Sequence, residues 1–418
     1  MFDLAVIGAG AAGMTAAVIA KRKCPGLNTV IVEALPSPGK KLLATGNGRC
    51  NLSNVSAAEH PYRNEAFAKR IIGAFGVEET LEFFRSIGLY TVNDNEGRIY
   101  PMSNCAAGVC DALKIECERL GISILTNQKV ENIEKRDGCF IIGGRLRAKK
   151  LIVAAGGKAS PALGSDGSGF DILKSFGHTI NEPKPALVQL TSDNKIVRSF
   201  KGQRVKGDMT LFAGEKMTGA CSGEILFTDY GLSGIASMDA QRLLCDYLKS
   251  EKCSAVIDFV PTMSESELSQ AVREIISRNP KLKSENLLSG FVPKKIGQGI
   301  IKCAYVKNDC PVGEISADNT DKIIRLLKSF RVYFSGAKGF DNAQITRGGA
   351  DVNEFDPITL ESLKVPCLYC AGEILDVDGA CGGFNLQWAW SSAAAAGNAA
   401  ADKIFLNKEQ SSTKQYNK

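Results

Sequence analysis

A chain of 418 residues is long for one hydrophobic core, so two or more packed units are expected. Its net charge of +6 is spread over 51 basic and 45 acidic residues with no run of five lysines and arginines, which argues against nucleic-acid or membrane partners held by charge. With two histidines in the whole chain, a histidine-rich metal site or a Ser-His-Asp triad has little material, so no metal is expected and chemistry shifts to a cofactor.

The apolar stretch 4–20 follows Asp3, is interrupted by glycines and has no basic leader, so it reads as neither signal peptide nor membrane span. Fourteen scattered cysteines then read as reduced thiols in a cytoplasm. "DLAVI" (3–7) is an apolar strand, "GAGAAG" (8–13) a tight turn, the alanine-rich run after it a helix, and "NTVIVE" (28–33) a second strand ending in an acid. A dinucleotide needs this order: Gly8 permits the turn, Gly10 lets backbone approach a pyrophosphate, and Gly13 lets helix and strand pack closely. Glu33, 20 positions beyond Gly13, is placed to accept hydrogen bonds from a ribose, with Ala34 beside it. The phosphates would sit among the N–H groups of Ala11 and Ala12 at the positive end of the helix.

"GKKLLATGNGRCNLSN" (39–54) follows directly. Lys40, Lys41 and Arg49 are assigned to the pyrophosphate side of the cofactor, and Thr45, Gly46, Cys50 and Asn51 to its flat ring. Cys50 has no partner cysteine four or five residues along, which argues against a redox disulfide. The segment 105–144 reads as a helix, a strand and a hairpin, and Val130 in it opens "VENIEK", assigned to the adenine side. "RAKKLIVAAGGKAS" (147–160) is a buried strand ending at Ala155, Gly156 and Gly157, which returns the chain to the cofactor.

From about Leu187 to Val260 short runs alternate with glycine turns, as antiparallel strands do. From Thr262 to about Lys328 "SESELSQAVREIISRN" and "NTDKIIRLLKSF" are amphipathic helices, and Ser264 with Glu267 forms a capping box. In "ITRGGADV" (345–352) Thr346 and the glycine pair bring backbone close to a flat ring, while Arg347 is placed to hold a substrate carboxylate or the reduced cofactor. "VPCLYCAGE" (365–373) is a buried strand whose Cys367 and Cys370 point to opposite faces, so their spacing is structural. It runs into Gly372 and Glu373, a loop with Asp376 and Asp378, and a helix opened by Gly382 and Gly383 with Phe384, Asn385 and Leu386. Backbone N–H groups there favour the negative charge of a reduced flavin. The small residues of this helix suit close packing on the first helix, so two stretches over three hundred residues apart are expected to share one ligand, FAD. The polar tail 407–418 is expected to be disordered.

These stretches, with "GRIYPMSNCAAGVCDAL" (97–113), "GEILFTDYGLSG" (223–234) and "GEILDVDGACGGFNLQWAW" (372–390), run in order along essentially the whole chain and resemble the BaiN-like (YhiN-type) family of bacterial FAD-dependent oxidoreductases, within the glutathione-reductase-type flavoproteins. The resemblance implies an α/β fold with a Rossmann-like FAD-binding domain split in sequence, an inserted β-barrel-like domain and a small helical subdomain. The expected boundaries are 1–186 and 345–406 for the FAD domain, 187–261 with 310–344 for the barrel, 262–309 for the helices and 407–418 for the tail.

No second glycine motif follows a strand, so NADH or NADPH is expected as a transient donor in the cleft that also takes substrate, giving ping-pong kinetics. The resemblance further implies reduction of the C=C bonds of 3-oxo bile-acid or steroid 4,6-dienes, with an apolar ketone as the small-molecule substrate. Such a reduction needs an acid near the re-protonated carbon, and Tyr100, Tyr230 and Asp229 are the candidates. An amine or amino-ketone oxidase using oxygen, and a flavin-based sensor that binds RNA or protein, are the competing readings, and the oligomeric state is left open.

Overall fold

The computed structural model describes residues 1–415, with side chains through residue 402. Two compact units form, one from residues 1–185 with 344 onward, the other from residues 186–343.

The first unit is built on Phe2–Ile7 (β1), Ala11–Lys23 (α1) and Thr29–Val32 (β2). Both strands are nearly continuous apolar runs because helices cover the sheet, and β2 is buried at all four positions. The parallel strands, in order across the sheet, are Ser123–Leu125, β2, β1, Leu146–Val153 and Leu368–Cys370. Counted by appearance in the chain this is 3-2-1-4-5, the doubly wound order, and connections leave in opposite directions on either side of β1 and Leu146–Val153. A ligand crevice is expected beyond the carboxyl ends of those two strands, where the chain enters Gly8–Gly13 and Ala154–Gly157. The hairpin of Ile133–Arg136 and Cys139–Ile142 pairs with the first half of Leu146–Val153, and Leu368–Cys370 takes the second half of the same edge.

The final helix, Phe384–Gln415, crosses α1 so closely that a side chain on Gly397 would strike the Ala16 carbonyl. Small residues on both helices permit this approach, as expected. The helix continues to Gln415, into the tail expected to be disordered, whose last three residues lie outside the described ones. Outside that sheet lie a three-stranded antiparallel sheet, Ser53–Asn54, Arg98–Pro101 and Thr91–Asn93, and a two-stranded pairing of Ile180–Ala186 with Ile345–Ala350.

In the second unit seven strands pair in the order Phe330–Tyr333, Cys253–Asp258, Arg204–Ala213, Lys216–Phe227, Gly231–Ser233, Leu190–Thr191 and Gly336–Ala337. All six pairings are antiparallel. The first and last strands of that order are joined by Phe334 and Ser335 alone, so the sheet must curl to bring its ends together. Helices Glu265–Arg278, Lys294–Cys303 and Ala317–Lys328 bury Leu268, Val272, Ile300 and Leu327 in one core with Met209, Ile225 and Ile257 of the sheet. Ser264 and Glu267 form the expected capping box.

All fourteen cysteines are free thiols. Cys367 precedes its strand in a left-handed conformation, φ 66°, so strand alternation, the argument used for it from sequence, applies to Cys370 alone. Among the described residues no helix is long and apolar enough to cross a membrane, and no cluster of metal-ligating side chains forms.

Candidate functional site

The head of α1 is shaped by three glycines with different duties. A side chain on Gly13 would strike the Gly8 carbonyl, so helix and turn touch backbone to backbone. A Cβ on Gly8 would lie 2.5 Å from the Ala154 carbonyl, which ties the turn to the end of the neighbouring strand. A Cβ on Gly10 meets nothing within 4 Å. Open space therefore lies beside the N–H groups of Ala11, Ala12 and Gly13, which have no intrahelical acceptor and no side-chain cap. That combination fits a pyrophosphate.

Glu33 closes β2, and its two carboxylate oxygens accept the N–H groups of Ala9 (2.7 Å) and Leu35 (2.8 Å). Each oxygen keeps a further lone pair for a ribose hydroxyl. Residues 127 and 128 donate their N–H groups to the carbonyls of Leu35 and Glu33, so the segment leading to Val130 runs beside Ala34. Val130 itself lies in coil, three residues before the strand Ile133–Arg136, and is buried.

Glu373 ties together three of the predicted segments. One oxygen accepts Lys41 Nζ at 2.7 Å and the other the Thr346 N–H at 2.8 Å. The Thr346 hydroxyl in turn accepts the N–H groups of Lys158 and Ala159. Gly157 packs so tightly here that a Cβ would overlap Glu373 and the Thr346 side chain. Lys40 opens the short helix that carries Lys41, and Ala155 and Gly156 precede this contact in the chain.

At the head of the final helix, the Asn51 amide lies between the Ser53 carbonyl and the Gly383 N–H, at 3.0 and 3.1 Å. Gly383 holds φ 99°, and a side chain there would strike the Ser53 carbonyl. The Asn54 amide donates to the Gly382 carbonyl at 2.9 Å, and Asn385 brackets Gly379 and Ala380 with three hydrogen bonds. The N–H groups of Phe384, Asn385 and Leu386 open the helix without intrahelical acceptors, which favours an anionic ring edge. Gly372 sits against Ala12 of α1 and accepts the Trp388 indole N–H on its carbonyl at 3.0 Å. The two helix heads and their donors fit a dinucleotide with a flat ring.

The other residues assigned to the site or to proton donation have these surroundings. Cys50, assigned to the ring, is fully buried in the core, and burial pushes its thiol up to about 12, so it is protonated and not a reactive thiol. Thr45 spends its hydroxyl on the Leu42 carbonyl, Gly46 carries the left-handed turn that follows, and Arg49 lies over the Tyr100 ring at 4.9 Å. Asp229 is an exposed partner of Lys201, whose hydrogen bond holds the carboxyl below its ordinary range, so it is ionised and no proton donor at neutral pH. Tyr230 belongs to the second unit, with Lys338 Nζ 4.2 Å over its ring. Arg347 lies 3.5 Å from buried Asp378.

One of the two histidines, His178, does enter a Ser-His-acid array, for which the sequence offered little material. His178 meets Glu354 through Nδ1 at 2.9 Å and Ser362 through Nε2 at 2.8 Å. The Ser362 hydroxyl already accepts the N–H groups of Lys364 and Val365, so both lone pairs are filled and its proton goes to Nε2. The array is buried and its oxygen saturated, which suits a structural latch and not a nucleophile.

Residues that the sequence reading left aside hold this site: Arg63 pairs with buried Asp376 at 2.6 Å, and Gln387 joins Ser53, Thr80 and Ser391. Nothing local in the sequence marks them, because all of these partners but Ser391 lie three hundred residues away or more.

A family model described as the HI0933-like protein Rossmann domain matches residues 2–399. The chain is 38% identical over 409 residues, 96% of itself and 100% of the relative, to a 3-dehydro-bile acid delta(4,6)-reductase of Clostridium scindens. It is 28% identical over 397 residues, 94% of itself and 96% of the relative, to a ribosomal RNA dihydrouridine synthase of Escherichia coli. Among solved structures, an E. coli quinol fumarate reductase aligns with 96% of this chain and 70% of its own, at 15% identity and a TM-score of 0.49. The chain belongs to the HI0933-like family and is an FAD-dependent oxidoreductase.

Proposed function

We propose that the protein is an NAD(P)H-dependent reductase of C=C bonds conjugated to a ketone, with a 3-oxo-4-ene or 4,6-diene steroid or bile-acid type substrate. The observation that carries this reading is the full-length 38% identity to a bile-acid delta(4,6)-reductase. The names of the more distant relatives support the reaction class, since saturating a uracil ring also reduces a C=C bond conjugated to a carbonyl.

Bound FAD supplies a hydride at its N5 for the carbon β to the ketone. In this reading the α1 head and Gly10 bind the pyrophosphate, Glu33 the ribose, and Lys41 with Glu373 fixes the loops on either side. The N–H groups of Phe384, Asn385 and Leu386 stabilise negative charge on the ring. Tyr100, which is buried beneath Arg49, donates a proton to the α-carbon from its hydroxyl, with Tyr230 the second candidate, and Arg347 anchors a substrate carboxylate.

The test is an anaerobic titration of the purified protein with NADH and NADPH, followed by a 3-oxo-4,6-diene steroid and, in a separate arm, a uridine-containing RNA. Bleaching of the flavin by a nicotinamide and recovery with the steroid is expected. Recovery with the RNA alone would move the substrate to nucleic acid. Failure of both nicotinamides to bleach it would overturn the reductase reading, and hydrogen peroxide released with amines would replace it with an oxidase.

A further inference from the structure

We propose that residues 60–64, "HPYRN", are a strap that positions the glycine loop ahead of the final helix, and that His60 thereby sets the affinity and reduction potential of the flavin. This rests on the assignment of FAD to this site.

The strap grips the loop 376–384 at four of its residues. The Asn64 amide donates to the Asp376 carbonyl at 2.6 Å, and Arg63 Nε binds the Asp376 carboxylate at 2.6 Å. The Arg63 N–H donates to the Asp378 carbonyl at 2.9 Å. His60 Nε2 accepts the Ala380 N–H at 3.0 Å, and its ring lies on Phe384 with centroids 3.8 Å apart and planes 14° from parallel. Tyr62 stands edge-on to His60 at 4.9 Å, with its hydroxyl 3.4 Å from the Phe384 carbonyl. Gly379 fits between the three rings, where a Cβ would crowd Phe384, Tyr62 and His60. Pro61 stiffens the strap between its two rings by fixing φ.

These contacts reach no further than Phe384, the first residue of the final helix. The helix behind it is anchored separately, by Gln387 to Ser53 and Thr80, by Trp388 to the Gly372 carbonyl and by Trp390 to the Leu52 carbonyl. The strap therefore adds little to holding the helix and much to fixing where its first N–H groups point. Those groups carry the partial positive charge that favours the reduced, anionic flavin over the oxidised one. Phenylalanine in place of His60 would stack on Phe384 as well, so what histidine adds is the acceptor for the Ala380 N–H. Because Nε2 accepts, the ring proton resides on Nδ1.

The experiment measures FAD dissociation from, and the flavin midpoint potential of, the full-length protein and its His60→Phe and His60→Gln variants, with thermal unfolding alongside. His60→Phe keeps the stack and loses the acceptor. It is expected to weaken FAD binding at least tenfold and to cut the preference for reduced flavin tenfold, a potential lower by about 30 mV for a two-electron couple. His60→Gln, which restores an acceptor at the same reach, is expected to recover the potential. A His60→Phe protein that folds and matches the wild type in both quantities overturns the proposal. Should that variant not fold, Asn64→Leu, which removes the strap's hydrogen bond to the Asp376 carbonyl, carries the test: a lowered potential supports the strap and a wild-type one overturns it. A wild-type protein that takes up no FAD would overturn the cofactor assignment itself, a result distinct from any of these.

Discussion

The heads of α1 and of the final helix offer a ligand the same thing, a row of N–H groups beside glycines, but they are held by different means. At α1 the constraint is mostly local: Gly8 and Gly13 touch each other, one long-range contact joins Gly8 to Ala154 at the end of the adjoining strand, and Gly10 faces open space. At the final helix the constraint is distant, because Asn51, Asn54, His60, Arg63 and Asn64 come from the first sixty-four residues to hold a loop beyond residue 375. A phosphate site needs only a turn and a helix. A site that favours one charge state of a ring needs its dipoles fixed from several sides.

The comparison breaks first at the glycines of α1. Gly13→Val is expected to cost about 3 kcal/mol or more by forcing the helix off the turn, and to lose FAD with it. Gly10→Val, with φ −83° and no neighbour to meet, should change stability by no more than about 0.5 kcal/mol while still losing FAD. Denaturant unfolding with flavin content separates the two; equal destabilisation would remove the distinction between a packing glycine and a ligand glycine. At the other head, Gln387→Leu takes the acceptor from the Ser53 hydroxyl and a donor from Thr80 and Ser391, and is expected to cost about 2 kcal/mol.

A smaller effect concerns the latch at His178. Burial pushes this imidazole below its ordinary value, outweighing Glu354, and Lys364 acts in the same direction. The folded protein thus binds fewer protons here than the unfolded chain. The contribution is complete above about pH 6.5 and is lost as pH falls through the folded value. Protonated Nε2 would face a Ser362 oxygen whose acceptor sites are filled. Urea unfolding should show lower stability at pH 5 than at pH 7.5, and His178→Gln should flatten that dependence. Glu354 is held at about 2: burial opposes this, but Lys364, Thr179 and His178 outweigh it, so its own contribution fades only below about pH 4.5. The smallest change is expected at Cys50, where Cys50→Ser should leave flavin content and catalytic rate near wild type, since the thiol is buried and protonated. Rapid alkylation of Cys50 in the native protein would contradict its burial.

The same contrast explains what could be read in advance. The strand, turn, helix and terminal acid of residues 3–33 were legible because each constraint lies within a few positions, and periodicity reports it. The small-residue packing of the final helix on α1 was legible from composition. The membership of Glu373, Lys41 and Thr346 in one site was legible from motif chemistry, although the node that joins them was not. Arg63, Asn64, His60 and Gln387 left no trace because a polar residue that holds a distant carbonyl looks like any surface polar residue. Cys50 misled because a cysteine inside a loop of glycines and lysines reads as exposed, whereas its left-handed backbone, φ 59°, turns the side chain into the core.

The central claim is that two helix heads hold opposite ends of one FAD, and fragment binding tests it most directly. Calorimetric affinities of the apoprotein for ADP and for riboflavin would be compared among the wild type, Gly10→Val and Asn51→Leu. Gly10→Val is expected to lose ADP affinity at least tenfold and keep riboflavin, and Asn51→Leu to do the reverse. Loss of both fragments together in each folded variant, or ADP binding indifferent to Gly10, would contradict it.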